Sequence, residues 1–348
     1  MGSVIVGGGL TGLLIAHRLH TKGHKVTLLE KQDFLGGSLR RPNVNLFPAT
    51  DSAVGLMEWL KSLAPLPVNF SVAEHRPQIF EEGRWRPFAG FLDAEFKSLN
   101  ELSHISAANE IRLEPSSDQI VRMLVEQLPL SAQCQTEVTQ IRCKDGRVEE
   151  VVLNGDKSLR TEQLIFTGNP QELNRLIDGE SLPPKYRTRL AKMAQWTSVT
   201  LELSHPEPLS DSDAILVFGS SSKEFEPVFG RVVGTTSRWM TLVHSERSDE
   251  HDFTGQCLRH IKRQLKRAWP QLFDNPLEEK ILVQAEAFGQ HSLKTRVPWQ
   301  IPELSNLFIG GPTLAEAPGW LGSVESARGI LALLTPEPES DLRPQLDH

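Results

Sequence analysis

VIVGGGLTGLLIAHRL, Val4 to Leu19, sets three consecutive glycines between a short apolar run and a helix-like stretch. Val4, Ile5 and Val6 are β-branched and continuous, the composition of a strand buried on both faces of a parallel sheet. Gly7, Gly9 and Gly12 fit G-x-G-x-x-G, and Leu10, Leu13, Leu14 and Leu19 keep one helix face apolar. In such a unit the first glycine permits the bend and the second lets a pyrophosphate approach the backbone. The third lets helix and strand pack closely. The helix N–H groups and positive dipole end then face the phosphates. Gly23 closes the helix, and KVTLLEK (Lys25 to Lys31) reads as the next parallel strand. It ends in Glu30, close to the ~20-residue offset at which an acid binds adenosine ribose hydroxyls. The stretch is read as a dinucleotide site.

The chain has 348 residues. That exceeds the ~250–300 residues at which single cores stop growing, so two domains are expected. Net charge is −7, and RHIKRQLKR (Arg259 to Arg267) reads as the solvated face of a helix, so nucleic acid is not an expected partner. The first strand begins at Val4, leaving no room for a cleavable signal peptide. No apolar run approaches the ~20 residues of a membrane span. Cys134, Cys143 and Cys257 show neither metal spacing nor an even disulfide framework, which points to reduced thiols and a cytoplasmic location. His17, His20 and His24 lie at helical spacing in or beside the first helix. His17 and His20 are expected on its outer face with no carboxylate or cysteine nearby, so no metal site is expected.

A second glycine pair, Gly36-Gly37, follows Glu30, and a helix is expected from Ser52 to Leu63. A hairpin is expected at Glu82-Gly83. SSDQIVRMLVEQL reads as a helix capped by Ser116 or Ser117, with Ile120, Leu124 and Leu128 on one face. TEVTQIRCKDGRVEEVVLNGDKSLRTEQLIFTGNP reads as three strands joined by turns at Asp145-Gly146 and Asn154-Gly155. Alternating runs such as Ser198 to Ser204 come next, then a helix from Phe253 to Trp269. NLFIGGPTLAEAPGWLGSVESARGILALL returns to strand–glycine–helix order. The proline-rich acidic tail is expected to be disordered. The organisation suggests one domain built from three separated segments, with a second domain inserted between them.

Four landmarks in order resemble the FAD-dependent amine oxidase, protoporphyrinogen oxidase and phytoene desaturase superfamily. They are the glycine turn ending in Glu30, the Gly36-Gly37 pair, the strand around Val138 followed by a hairpin and LIFTGNP, and NLFIGGPTLAEAPGWLGSVESARGI. The resemblance implies an α/β fold, a Rossmann-like FAD-binding domain of the glutathione-reductase type with an inserted mixed α+β substrate domain. Residues 1–65, 115–180 and 280–335 would form the FAD-binding domain, 66–114 and 181–279 the substrate domain, and 336–348 a tail. It implies non-covalent FAD, since no cysteine lies near the C-terminal flavin segment. Gly7, Gly9, Leu10, Thr11 and Gly12 would face the pyrophosphate, Glu30 the ribose and Lys31 the adenine edge. Gly36, Gly37 and Ser38 would pass the phosphates and ribityl chain, and Val138 would offer backbone groups to adenine. Gly311 would sit near the ribityl phosphate. Leu321, Gly322, Ser323 and Val324 would lie under the pyrimidine end of the flavin, where a helix N-terminus stabilises the charge of the reduced ring. Two departures stand out. Ser38 follows the second glycine pair where the family usually has arginine, and Pro312 follows Gly311 where an acid is common.

The implied activity is hydride transfer to flavin N5 from a small or moderately apolar substrate, an amine or another C–C or C–N bond donor, with reoxidation by O2. The alternatives are a non-redox mutase or isomerase of the same fold, or a degenerate flavoprotein acting through a partner. Tyr186 is the single tyrosine, which excludes a two-tyrosine amine cage. Trp320 and Phe47 are the candidates for an apolar substrate wall, with the filling of a helix–sheet seam as the other reading, and Trp299 is a further candidate ring. His291 and Lys294, just before the last strand, are the candidate polar catalytic groups, against a plain reading as solvated loop charges.

Overall fold

The computed structural model describes residues 2–40, 47–63, 66–91, 109–128, 132–178, 180–193, 195–219, 225–247, 250–275, 277–289, 297–317 and 319–335. His291, Lys294 and the tail expected at 336–348 lie outside these residues. In chain order the first elements are β1 (Ser3–Val6), α1 (Leu10–Thr21), β2 (Val26–Leu29), α2 (Asp51–Lys61), β3 (Asn69–Glu74), β4 (Gln78–Glu81), β5 (Arg84–Pro87) and β6 (Asn109–Glu114). There follow α3 (Ser117–Gln127), β7 (Ala132–Gln133), β8 (Val138–Lys144), β9 (Arg147–Leu153), β10 (Lys157–Arg160), β11 (Gln163–Phe166), α4 (Pro170–Leu176) and α5 (Pro184–Ala191). The chain continues with β12 (Gln195–Ser204), β13 (Ile215–Phe218), β14 (Val228–Val233), β15 (Thr236–His244), α6 (Phe253–Ala268), β16 (Glu278–Gly289), β17 (Leu307–Ile309) and α7 (Gly319–Leu334).

β17, β11, β1, β2 and β7 pair in that order as a parallel sheet. Neighbouring residues of its apolar strands point to opposite faces. Ile5, Leu28, Ile165 and Phe308 bury against α1, α2, α3 and α7. Val4, Leu29, Leu164, Phe166, Leu307 and Ile309 bury on the other face, against the antiparallel β8–β9–β10 sheet and α4 and α5. Both faces covered is what the unbroken VIV and LIF runs require. LIF is a fourth strand beyond the three expected in its segment, and it leaves the antiparallel sheet to pair with β1. The turns at Asp145-Gly146 and Asn154-Gly155 join β8 to β9 and β9 to β10.

The second large sheet runs β16-β12-β15-β14-β13-β4-β5. Its pairs are antiparallel except β13 with β4. Ser198 to Ser204 therefore lies in β12, away from the parallel sheet. One face, with Leu201, Leu203, Phe218 and Trp239, packs under α6. The other carries Trp196, Ile215, Val217, Phe229, Met240 and Leu242.

Three stretches fall across the expected boundaries. β16 begins before residue 280 and is hydrogen-bonded along β12, so residues 280–289 belong to the seven-stranded sheet. Leu182, Tyr186, Leu190 and Met193 bury in the core under the parallel sheet, although residues 181–193 were expected in the inserted domain. Leu66, Val68 and Ile111 join the helix-side core, because β3 and β6 form their own two-stranded sheet beside α2. A second correction concerns His17. It is buried rather than outward, because α3 crosses α1 there and Gln127 Oε1 lies 3.1 Å from its Nε2. His20 is exposed as expected.

α6 is amphipathic in the way RHIKRQLKR implies. Cys257, His260, Ile261, Gln264 and Leu265 face the sheet, while Arg259 pairs with Asp252 and Lys262 with Glu279, each at 2.7 Å. Burial pushes the Cys257 thiol up to about 11, which leaves it protonated and unreactive at neutral pH. His260 stacks on Phe225 with centroids 4.6 Å apart, and burial pushes its pKa down to about 4. The unfolded chain therefore binds this proton first as pH falls. Stability is full above the ordinary histidine pKa and declines towards the folded value. From pH 7 to pH 5 the expected loss from His260 is about 2 kcal/mol. Urea titrations at the two pH values should show a shallower decline in His260→Gln than in the native chain. An unchanged pH slope would show that His260 is not the group responsible.

Candidate functional site

The carboxyl ends of β1, β2, β11 and β17 open on one edge of the parallel sheet. There the strand order switches direction about β1, and open α/β sheets bind ligands in that crevice. Gly7 has φ of 109°, a backbone that side chains rarely adopt, and turns the chain from β1 into α1. A Cβ on Gly12 would lie 2.1 Å from Gly7 O, so the close contact of α1 with the turn depends on that glycine. Gly9 differs, because a Cβ there would meet nothing within 4 Å. Gly9 is also the N-cap of α1, with no side chain capping it and no acid in the first turn. The helix dipole thus faces open space beside a glycine, a cradle that suits a phosphate.

Beside the cradle lies a cavity of about 500 Å³. Gly7, Gly9, Glu30, Lys31, Val138, Phe166 and Asn169 are among its lining residues. Glu30 is held by its neighbours: Oε2 accepts from the Gly8 N–H at 2.6 Å and Oε1 from the Gln32 N–H at 2.8 Å. A carboxylate offers about four lone-pair sites, so both oxygens can still accept from ribose hydroxyls. Lys31 is at the rim, paired with Glu172 of α4 at 2.8 Å. Val138, at the start of β8, also lines the cavity.

The second glycine pair sits on the first. The Gly36 N–H donates to Gly8 O at 2.8 Å, and a Cβ on Gly37 (φ 56°) would be 3.4 Å from Gly9 Cα. Ser38 is exposed on the 3₁₀ turn of residues 37–40. The side chains of Leu10 and Thr11 turn inward. Leu10 is in the helix-side core, and the Thr11 hydroxyl donates to Ser323 O at 3.3 Å, so only their backbone faces the cradle side. That bond ties α1 to the first turn of α7, where Leu321, Gly322, Ser323 and Val324 are all buried. Gly311 (φ 138°) follows β17, and its N–H donates to Ser326 Oγ at 2.8 Å. The Glu325 carboxylate accepts from the Glu316 and Ala317 N–H groups, fixing the loop that enters α7.

Phe47 and Trp320 meet edge to face with centroids 5.4 Å apart, and both are buried. Among the described residues, neither Trp320 Nε1 nor, in the turn before α7, Thr313 Oγ1 has a hydrogen-bond partner, and both are buried. These orphaned polar atoms and the open Gly9 cradle fit a group with acceptors lying along this edge. Trp299 is not brought to this pair. Its indole packs over Gly329, where a Cβ would approach its Nε1 to 2.5 Å. Among the described residues, no three histidine, cysteine or acidic side chains are grouped to hold a metal ion.

Sequence reasoning passed over Thr167. Its hydroxyl, 3.1 Å from Val6 O and 2.9 Å from Gly7 O, closes the gap where β1 and β11 part at the cavity mouth. A short polar residue directly after the LIF strand is the signal that marks it. Ser326 was likewise passed over, being seven residues into a helix.

Residues 5–54 match the NAD(P)-binding Rossmann-like domain family. A cinnamate reductase of Clostridium sporogenes is 38% identical over 84 residues, which make up 23% of this chain and 12% of the reductase's length. Among solved structures, an oxidoreductase from Methanosarcina mazei superposes with a TM-score of 0.70 at 13% identity, covering 95% of this chain and 100% of that one. Reduced UDP-galactopyranose mutase gives 0.67 at 14% identity, with coverage of 97% and 96%. Cyclohexylamine oxidase from Brevibacterium oxydans gives 0.64 at 13% identity, with coverage of 95% and 98%. No helix among the described residues is long and apolar enough to cross a membrane. Residues 5–54 carry a Rossmann-like nucleotide-binding domain, and the chain as a whole shares its fold with these three structures.

Proposed function

We propose that this chain is an FAD-dependent oxidoreductase that holds FAD non-covalently and oxidises a small, moderately apolar molecule in the cytoplasm. The observations that carry the reading are the Glu30 cavity, the Gly37 turn stacked on Gly9 at its side, and Gly311, which is tied to α7 through Ser326. A nicotinamide nucleotide needs only the first of these. Three free cysteines support a reducing compartment.

FAD held there would supply the acceptor for a hydride from a substrate C–H bond, with O2 as the oxidant that restores it. The chain's own residues bind and orient. Glu30 would hold the adenosine ribose, the Gly9 turn and the N-terminus of α1 the pyrophosphate, and Val138 would meet adenine. The N-terminal part of α7, Leu321 to Val324, would set its dipole against the negative charge that a reduced flavin carries. Phe47 and Trp320 would exclude water from the reacting region, and His291 and Lys294, outside the described residues, remain the sequence's candidates for a polar group there. A second reading, a non-redox isomerase, draws support from the likeness to the mutase and from Pro312 standing where the family's acid is common.

Glu30→Ala is expected to weaken FAD retention by on the order of 1–3 kcal/mol, the range for stranding hydrogen-bonding groups. Reconstituting the apoprotein with FAD and following flavin absorbance measures this. Unchanged affinity would place the ribose elsewhere. Anaerobic titration of the loaded protein with small amines, porphyrinogens and polyenes separates the two readings. Bleaching by one of them, with peroxide on re-aeration, supports the oxidase. Turnover of a substrate with no net bleaching supports the isomerase.

A further inference from the structure

Glu110 of β6 is a carboxylate almost entirely withdrawn from water, with its side chain 8% exposed. Its Oε2 accepts from Arg231 Nη2 of β14 at 2.5 Å and lies 3.7 Å from His75 Nδ1. Its Oε1 accepts from Arg112 Nε at 2.9 Å, and Arg112 reaches on to Asp213, before β13, at 2.8 Å. Arg231 lies on the same face of the seven-stranded sheet as Phe229, the face turned away from α6. The backbone around Glu110 also holds the segment that carries Phe47. The Ile111 N–H donates to Phe47 O at 2.7 Å, the Ala49 N–H donates to Asn109 O at 3.0 Å, and Pro48 bridges Glu110. An unbroken series of contacts therefore runs from the seven-stranded sheet through Arg231, Glu110 and the Phe47 backbone to the Phe47–Trp320 ring pair.

We infer that Glu110 is a positioning residue: it fixes the register of the segment that presses Phe47 onto Trp320 and fastens that wall to the seven-stranded sheet through Arg231. An apolar pair would fill a buried seam at less cost in desolvation, but it would not select one register. The carboxylate does, because its two oxygens are met by guanidinium groups from different elements. Arg231 Nε is buried without a partner, so among the described contacts its guanidinium depends on Glu110. This inference rests on the reading that the ring pair stands beside the flavin.

The test uses the FAD-loaded protein and flavin fluorescence, which an adjacent indole quenches. Phe47→Ala frees Trp320 to move and is expected to relieve the quenching. Glu110→Gln, nearly isosteric but uncharged, is expected to relieve it in the same direction. The double variant is expected to match Phe47→Ala alone, because the two act through one contact. Arg142→Ala, which breaks an exposed pair with Glu150 on the separate antiparallel sheet, is expected to leave fluorescence unchanged. If Glu110→Gln does not fold, Arg231→Gln replaces it, with a smaller change of the same sign expected. Relief in Phe47→Ala but none in the Glu110 or Arg231 variant would overturn the positioning role and leave the flavin site standing. No change in Phe47→Ala itself would overturn both.

Discussion

Gly12→Ala is expected to lose bound nucleotide and to lower stability by about 3 kcal/mol, the upper range for forcing an added methyl group into a packed site. The added Cβ would sit 2.1 Å from Gly7 O and 2.9 Å from Thr167 Oγ1. Neither atom can yield cheaply. Gly7 O belongs to the turn itself, and the Thr167 hydroxyl already bridges the carbonyls of Val6 and Gly7. Relief requires α1 to lift from β1, which unpacks Leu13 and Leu14, both fully buried. Gly9→Ala provides the contrast. Its Cβ enters open space, so apoprotein stability should hold while nucleotide is lost, because the methyl group occupies the phosphate cradle. Urea denaturation of the two apoproteins, beside their absorbance after reconstitution, separates the effects. Equal stability of the two variants would mean that Gly12 does not hold helix to turn.

Trp320→Ala is expected to destabilise the protein by about 3–5 kcal/mol, the range for truncating a large buried ring. The indole is 4% exposed, lies in the helix-side core at the start of α7 and receives the edge contact of Phe47. Its loss leaves a cavity between α7 and the segment before α2, and α2 itself packs on α7. Trp320→Phe keeps most of the contact and should cost much less. Denaturant midpoints of the two variants test this, and a small loss in Trp320→Ala would mean that the ring is bordered by space rather than packed.

What was legible in the sequence was local. Gly7 places the turn by its positive φ and Gly12 by the close approach it allows, and Glu30 follows at a fixed distance along one strand–helix–strand unit. The hairpins at Asp145-Gly146 and Asn154-Gly155 need only residues that accept a positive φ, and both pairs do so. The rest depended on partners far along the chain. β16 joins the seven-stranded sheet because β12, some eighty residues earlier, offers a matching edge. His17 is buried because α3 brings Gln127 across it. α5 packs beneath the parallel sheet through Tyr186 and Leu190, although KYRTR reads as polar, since two apolar residues four apart are enough to dock a short helix. At the candidate site, the glycine turns and the placing of Glu30 beside them were readable because local backbone geometry specifies them. The Glu110 cluster was not, because its members come from β3, β6 and β14 and their neighbourhoods, which only the folded chain brings together.

The most direct measurement is the identity of the nucleotide that the protein carries. Heat-denaturing the purified native chain, clearing the precipitate and resolving the supernatant by chromatography should release FAD in an amount equal to the chain. The same procedure on Gly9→Ala should release almost none. Recovery of NAD(P) without flavin from the native chain, or undiminished FAD from Gly9→Ala, would contradict a flavin bound along the edge from Glu30 to α7.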